Sequence, residues 1–128
     1  MEKDFDRWNT TKKDLHKVAS RPAFISEREI WWCALGINVG REQDGRGDDF
    51  ERPVVVLKKL SPDTCMAVPL STKKKLDRFQ SKVTHGSVQG FALLDQIRVL
   101  DVKRMRRKIG TVSRREFSVM VNKLKQLL

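Results

Sequence analysis

Short apolar runs separated by polar turns recur along the chain and predict a mainly β fold. Three of these runs are rich in β-branched and aromatic residues and are predicted as strands: residues 29–35, 52–57 and 65–70. Residues 91–94 and 97–100 predict at least one more strand. Pro53 is expected to mark the point where pairing of the second strand begins, because proline cannot donate a ladder hydrogen bond.

Two further segments have the spacing of amphipathic helices. Residues 2–19 predict an N-terminal helix that ends before Pro22, because the residue before a proline avoids the helical conformation. Its apolar stripe consists of Phe5, Trp8, Leu15 and Val18. Ser113 and Glu116 predict a capping box at the start of a C-terminal helix. The stripe of that helix consists of Phe117, Met120, Val121, Leu124, Leu127 and Leu128.

These elements predict an α+β chain in which a small, mainly β barrel carries helical additions. Residues 1–24 are interpreted as a helical extension and residues 25–128 as the barrel domain. Residues 36–51 contain four glycines and predict a long loop, whereas the basic run at 103–108 is interpreted as a solvated face or a dimer-edge feature. One of Trp31 and Trp32 is expected in the core, and the other against the N-terminal helix or stacked on a base.

The charge of the chain is uneven. The 27 basic and 16 acidic residues give a net charge of +11, and residues 71–128 alone carry 15 basic and four acidic residues. This asymmetry favours a polyanionic partner, with nucleic acid as the first candidate and an acidic protein as the second.

Several classes of protein are disfavoured by the residues that the chain lacks. It has no apolar run long enough to span a membrane and no signal-peptide core, so a cytoplasmic protein that does not bind membranes is predicted. Cys33 and Cys65 are predicted as buried thiols. His16 and His85, on a predicted helix and in a predicted loop, are interpreted as surface residues that supply no familiar zinc site. No phosphate-binding glycine loop or nucleophile elbow is present, which disfavours conventional hydrolases.

RNA cleavage places modest demands on a protein, because RNA carries its own nucleophile, the 2′-hydroxyl. The protein must supply a proton acceptor, a proton donor and a cation that stabilises the phosphorane. Candidate groups lie at the ends of predicted strands: Arg52, Ser71-Thr72 and Asp95. Each also has a structural explanation, since Arg52 could pair with a surface carboxylate, Ser71-Thr72 could cap a turn and Asp95 could stabilise a bulge.

Four motifs occur in an order that resembles the PemK/MazF toxin family. They are Gly40-Arg41-Glu42-Gln43, Arg52-Pro53-Val54-Val55-Val56-Leu57, Val68-Pro69-Leu70-Ser71-Thr72 and Leu93-Leu94-Asp95-Gln96-Ile97-Arg98. The resemblance runs from about residue 27 to the C terminus. The long first loop and the helical N terminus are similar to one branch of the family.

This resemblance implies an SH3-like β-barrel with a C-terminal helix that assembles as a homodimer. It implies the toxin of a type II toxin–antitoxin system, acting as a sequence-selective endoribonuclease without a metal or another cofactor. Such an enzyme cuts single-stranded RNA and leaves 2′,3′-cyclic phosphate and 5′-hydroxyl ends. The implied protein partner is a cognate antitoxin, often acidic, which agrees with the basic charge of the chain.

The family's catalytic positions map onto Arg52 and onto Ser71 or Thr72, as a hydroxyl facing the phosphate. Arg52 would stabilise the phosphate or donate a proton, and stabilisation is favoured because an arginine stays charged near neutral pH. Asp95 maps onto a base that some members use, but the arginine and histidine that accompany that base are replaced here by Leu93 and Arg41. The version with Arg52 and Ser71 is therefore better supported. The predicted RNA-contacting residues are Asn38, Arg41, Glu42, Gln43, Lys73, Lys74, Gln96 and Arg98.

Two alternative functions remain open on the sequence. A protein of the same fold could poison a protein target such as DNA gyrase, as the structurally related CcdB toxins do. A catalytically inactive relative could bind RNA without cutting it. The intact Arg-Pro and Ser-Thr motifs favour the nuclease over both.

Overall fold

The computed structural model describes residues 3–17, 24–39, 42–47, 50–74, 79–86 and 88–128. Within these ranges the chain forms two α-helices and seven strands. In chain order they are α1 (Phe5–His16), β1 (Glu29–Ala34), β2 (Glu51–Lys59), β3 (Thr64–Ser71), β4 (Gln80–His85), β5 (Val88–Leu93), β6 (Arg98–Asp101), β7 (Met105–Thr111) and α2 (Arg114–Leu127). Two single-turn 3-10 helices, Leu94–Gln96 and Val102–Arg104, flank β6. No helix in the described ranges is long and apolar enough to cross a membrane.

The strands form one antiparallel sheet in the order β4-β5-β3-β2-β1-β7. β3 shares one of its edges between two neighbours, pairing with β6 over Thr64–Ala67 and with β5 at Leu70 and Ser71. This division lets the sheet curl, so that its two edge strands, β4 and β7, turn toward each other. The result is a curled half-barrel with a helix from each end of the chain, which confirms the predicted mainly β fold.

The central strand β2 is buried on both faces, which explains why its sequence is a continuous apolar run. Val54 and Val56 belong to one hydrophobic cluster with Trp31 and Cys33. Val55 and Leu57 point to the opposite face and join a second cluster that includes Met120 of α2. The two-residue period of a strand therefore divides the core into two clusters.

The start of α2 is capped as predicted, but only half of the capping box forms. Ser113 Oγ accepts a hydrogen bond from Glu116 N at 3.2 Å. The Glu116 carboxylate turns away from the helix and accepts from Thr84 N at 2.8 Å and from Thr84 Oγ1 at 3.1 Å. Glu116 thereby attaches the first turn of α2 to the edge strand β4.

The edge strands β4 and β7 were not among the predicted elements. The basic run at 103–108 was interpreted as a solvated face or a dimer-edge feature, yet β7 begins inside it at Met105, which is buried and pairs with Cys33 of β1. Arg106, Arg107 and Lys108 are exposed, so the solvated face is limited to these three residues. An edge strand with a polar outer face lacks a run of apolar residues and is hard to distinguish from a loop.

The predicted position of Pro53 is also wrong. β2 begins at Glu51, and Pro53 is its third residue, opposite Trp32 of β1. Pairing with β3 begins one residue later, at Val54 opposite Pro69. Pro53, which has no N–H, therefore precedes the β2–β3 ladder and interrupts none of its pairs.

The N-terminal helix is shorter than predicted. The Asp4 side chain caps α1 by accepting from Arg7 N at 3.0 Å. Trp8 and Leu15 are buried as predicted, but Phe5 is 49% exposed and is not part of the buried face. Val18 and the predicted end of the helix lie outside the described residues.

Both cysteines are buried thiols, as predicted. Burial raises the pKa of Cys33 to about 12 and also raises the pKa of Cys65. Because the thiolate is the reactive form, we expect neither thiol to react with Ellman's reagent in the folded chain at mildly alkaline pH. Both should react once the chain is unfolded in guanidinium chloride. A native thiol that reacts as fast as in the unfolded chain would contradict the burial.

Candidate active site

A cavity of about 420 Å³ lies where the two edges of the curled sheet approach each other. At this point the imidazole of His85, at the end of β4, packs so closely on Gly110 of β7 that a Cβ on residue 110 would overlap the ring. We call this space the Arg52 cavity. Its lining includes Trp32, Arg52, Leu70, Ser71, Thr72 and His85.

Arg52 is held on the cavity wall by the loop between β1 and β2 and by the end of β3. Its Nε donates to Asp44 O at 2.7 Å and its Nη1 donates to Leu70 O at 3.0 Å. The side-chain oxygen of Gln43, oriented toward the guanidinium, accepts from Nη2 at 2.7 Å. Because a guanidinium has five N–H donors, these contacts leave one N–H on each terminal nitrogen for a ligand.

The charge of Arg52 is buried, with Asp44 and Glu51 nearby but with no direct ion pair to a carboxylate of the described residues. The residue is 9% exposed. Burial lowers the pKa of Arg52, the charge of Arg46 lowers it further, and Asp44 opposes the change. Since arginine stays protonated throughout the physiological range, the wall presents a positive charge suited to an anion.

The two predicted hydroxyls lie beside Arg52. Ser71 ends β3 and Thr72 follows it, and both line the Arg52 cavity. Ser71 Oγ accepts from Lys73 N at 3.2 Å, so its own O–H remains available as a donor. Lys73 also lines the cavity, whereas Lys74 is exposed and is not part of its lining.

The two residues of the predicted Asp-Gln pair, Asp95 and Gln96, lie on the 3-10 helix Leu94–Gln96 and have different surroundings. Gln96 Oε1 accepts a hydrogen bond from Gln43 N at 3.2 Å. Gln96 therefore contacts Arg52 only indirectly, through Gln43. Asp95 is exposed and does not line the Arg52 cavity. Within the described ranges, no cluster of three His, Cys, Asp or Glu side chains is arranged to hold a metal ion.

Three further predicted RNA contacts do not line the Arg52 cavity. Asn38, Glu42 and Arg98 line a second cavity of about 460 Å³, bounded by α1. Asn38 also braces the loop, because its Nδ2 donates to Gln43 O at 2.8 Å. Glu42 Oε1 accepts from Val39 N at 2.8 Å. Arg41 lies outside the described residues.

Sequence reasoning missed His85 as a cavity residue. It was assigned to a loop, but it ends β4 and faces the same cavity as Arg52. The signal was its two-residue spacing from Val83, which also lines the cavity, as expected for one face of a strand.

One of the two tryptophans of β1 is in the core, as expected, but the other does not lie where it was expected. Trp31 is in the core and donates through Nε1 to Glu29 at 3.1 Å. Trp32 lines the Arg52 cavity beneath the guanidinium of Arg107, 5.2 Å from the ring centroid. Packing against the N-terminal helix is therefore not the role of Trp32.

The family model of PemK-like, MazF-like toxins of type II toxin–antitoxin systems matches residues 26–128. No curated protein matches the sequence. The crystal structure of MazF from Deinococcus radiodurans is similar with a TM-score of 0.68 at 23% identity, covering 84% of this chain and 96% of that one.

Two mycobacterial structures share the fold at lower identity. An endoribonuclease from Mycobacterial species aligns with a TM-score of 0.63 at 13% identity, covering 83% of this chain and 91% of that one. An endoribonuclease in complex with its cognate antitoxin, also from Mycobacterial species, aligns with a TM-score of 0.61 at 13% identity, covering 80% and 93%. With the family model matching the whole half-barrel and α2, the chain belongs to the family of PemK-like, MazF-like toxins of type II toxin–antitoxin systems.

Proposed function

We propose that this toxin is an endoribonuclease that cuts single-stranded RNA without a metal ion and leaves 2′,3′-cyclic phosphate and 5′-hydroxyl ends. The observation that carries the proposal is the buried guanidinium of Arg52, which forms no ion pair with a described carboxylate and has two N–H groups to spare on the wall of a cavity that Ser71, Thr72, His85 and Glu51 also line. The description of a structural relative as an endoribonuclease supports the same activity.

The reaction begins with the 2′-hydroxyl of the substrate. Its oxygen bonds to phosphorus while the bond from phosphorus to the 5′ oxygen breaks. The proton of the 2′-hydroxyl passes to a base, and another proton passes to the departing 5′ oxygen. Arg52 stabilises the negative charge that develops on the non-bridging oxygens, because its donors are fixed before the reaction begins. Ser71 and Thr72 donate hydrogen bonds that orient the same phosphate.

We assign proton transfer to His85, which lines the cavity together with Arg52. An imidazole can accept or donate a proton near neutral pH, whereas an arginine cannot give one up. His85 and Arg52 line the same cavity of about 420 Å³, so we expect a phosphate bound there to lie near both side chains. We leave Asp95 out of this mechanism because it does not line the cavity.

Substituting the imidazole tests this assignment. His85→Gln is expected to lower kcat about 100-fold, the lower end of the contribution of general acid–base catalysis. His16→Gln is the matched control, because His16 is exposed on α1. Equal rates for the wild type and His85→Gln would remove the imidazole from the mechanism.

We also propose an antitoxin as the protein partner and a homodimer as the assembly. The net charge of +11 suits an acidic partner as well as RNA. The apolar walls of the Arg52 cavity, formed by Trp32, Leu70 and Val83 among others, suit an inserted apolar side chain. An antitoxin bound there would exclude RNA. The mycobacterial endoribonuclease solved with its cognate antitoxin supports this partner.

The direct test is incubation of the purified chain with a long unstructured RNA in EDTA, followed by mapping of the fragment ends. Discrete cuts with 5′-hydroxyl ends are the expected result. RNA that is bound but not cut would indicate an inactive relative. RNA that is neither bound nor cut would contradict the proposal and direct attention to DNA gyrase.

A further inference from the structure

The residues that precede the family match contact the loop that holds Arg52. We infer that residues 3–17, through Lys3 and Trp8, are a positioning element that fixes the β1–β2 loop and thereby the orientation of Arg52. This inference rests on the proposed RNA cleavage for its effect on rate. It assigns a role to a segment outside the matched range of 26–128.

The polar part of the connection passes through Asp44. Lys3 Nζ lies 3.0 Å from Asp44 Oδ2 and donates to Asn38 O at 2.6 Å. Asp44 Oδ1 accepts from Asn38 N at 2.6 Å, and Asp44 O accepts from Arg52 Nε at 2.7 Å. One loop residue therefore contacts both the N-terminal segment and the guanidinium. The Lys3 and Asp44 side chains are each 26% exposed, so this ion pair is only partly screened by water.

The apolar part of the connection is Trp8, which is 5% exposed. Its indole packs directly on Gly36, where a Cβ would overlap the ring and where φ is +82°. Its ring centroid lies 5.5 Å from that of Phe50. Gly36 follows β1 and Phe50 precedes β2, so Trp8 contacts both ends of the loop.

Arg104 and Lys103 of the second 3-10 helix also contact the N-terminal segment. The Arg104 guanidinium lies 5.8 Å from the Trp8 ring centroid, and its Nη1 donates to Ala34 O at 3.2 Å and Leu35 O at 3.3 Å. Lys103 Nζ donates to His16 O at 2.9 Å near the end of α1. α1 is thus docked at both of its ends.

These contacts matter because a long loop loses conformational entropy when it is ordered. Arg52 receives two of its three protein contacts from this loop, at Gln43 and Asp44. When the loop is released, the guanidinium keeps only its contact with Leu70 O and can rotate. A small misplacement of a catalytic group lowers the rate of the chemical step more than it lowers substrate affinity.

Lys3→Met in the full chain tests the polar contact. We expect kcat for RNA cleavage to fall about tenfold with KM nearly unchanged, because Lys3 does not line the Arg52 cavity. Lys3→Arg should restore the rate, and Lys13→Met, the same change at an exposed position of α1, should leave it unchanged. Thermal unfolding should occur at nearly the same temperature in all four proteins.

Amide hydrogen exchange provides a readout that does not depend on catalysis. Exchange at residues 42–47 should be faster in Lys3→Met and in Trp8→Ala than in the wild type, while exchange in β2 and β3 is unchanged. Unchanged loop exchange in both variants would overturn the inference, as would a wild-type kcat in Lys3→Met. An inactive wild type would refute the proposed function instead, and with it the effect on rate. The loop-holding role would still be decided by exchange.

Discussion

Replacing Arg52 by alanine is expected to slow RNA cleavage about 10²- to 10³-fold, the loss that follows removal of one preorganised donor from a transition state. The guanidinium supplies both a positive charge and two N–H groups on the cavity wall. Alanine also leaves the carbonyls of Asp44 and Leu70 without their donor. The free energy of unfolding should therefore fall by about 1–3 kcal/mol. The rate is measured as kcat/KM at a temperature where circular dichroism shows the variant folded.

Two further variants define the cause of that loss. Arg52→Lys keeps the charge but not the forked geometry, so its rate should fall between those of the wild type and the alanine variant. Arg115→Ala removes an exposed arginine of α2 and should cleave RNA at the wild-type rate. An Arg52→Ala protein that is folded and fully active would refute the proposed mechanism.

The largest expected effect on stability is that of Met120→Ala. Met120 is fully buried on the inner face of α2, where it joins the cluster that contains Ile30, Val55 and Val68. Truncating a buried methionine removes apolar contacts and leaves a cavity, so the free energy of unfolding should fall by about 3 kcal/mol. Chemical denaturation monitored by circular dichroism measures the change.

Val119→Ala is the matched control for this prediction. Val119 is adjacent in the same helix but is 46% exposed, so the expected change is within about 0.5 kcal/mol. Equal losses in the two variants would show that α2 does not cover the second hydrophobic cluster. An unchanged stability of Met120→Ala would lead to the same conclusion.

The elements that the sequence predicted well are those whose local signals agree with their tertiary environment. β2 and β3 are buried on both faces, and their apolar runs are unambiguous. α2 combines a capping serine with an apolar stripe, and Met120, Phe117, Leu124 and Leu127 of that stripe pack on the second hydrophobic cluster. The prediction is wrong for Leu128, the last residue of the stripe, because it is fully exposed at the end of the helix. Phe5 shows the limit of such patterns, because it fits the stripe of α1 and yet lies beyond the surface that α1 covers.

The candidate site could be predicted only in part. Arg52 and Ser71-Thr72 were singled out through motifs, and the fold brings them into one cavity. His85 could not be placed beside them, because that requires the sheet to curl until β4 meets Gly110 of β7. The contact of Lys3 with Asp44 joins positions far apart in the chain and has no local signal.

The sequence by itself therefore determined the central strands, the C-terminal helix, the charge of the chain and the family to which it is similar. These properties depend on residue type and on spacing along the backbone. The tertiary structure alone decided which polar segments became edge strands, which tryptophan lines the cavity and how Arg52 is held. Such features depend on groups brought together by the curl of the sheet and by the docking of α1. Local sequence does not specify which distant residues will pair with an edge strand or contact a buried charge.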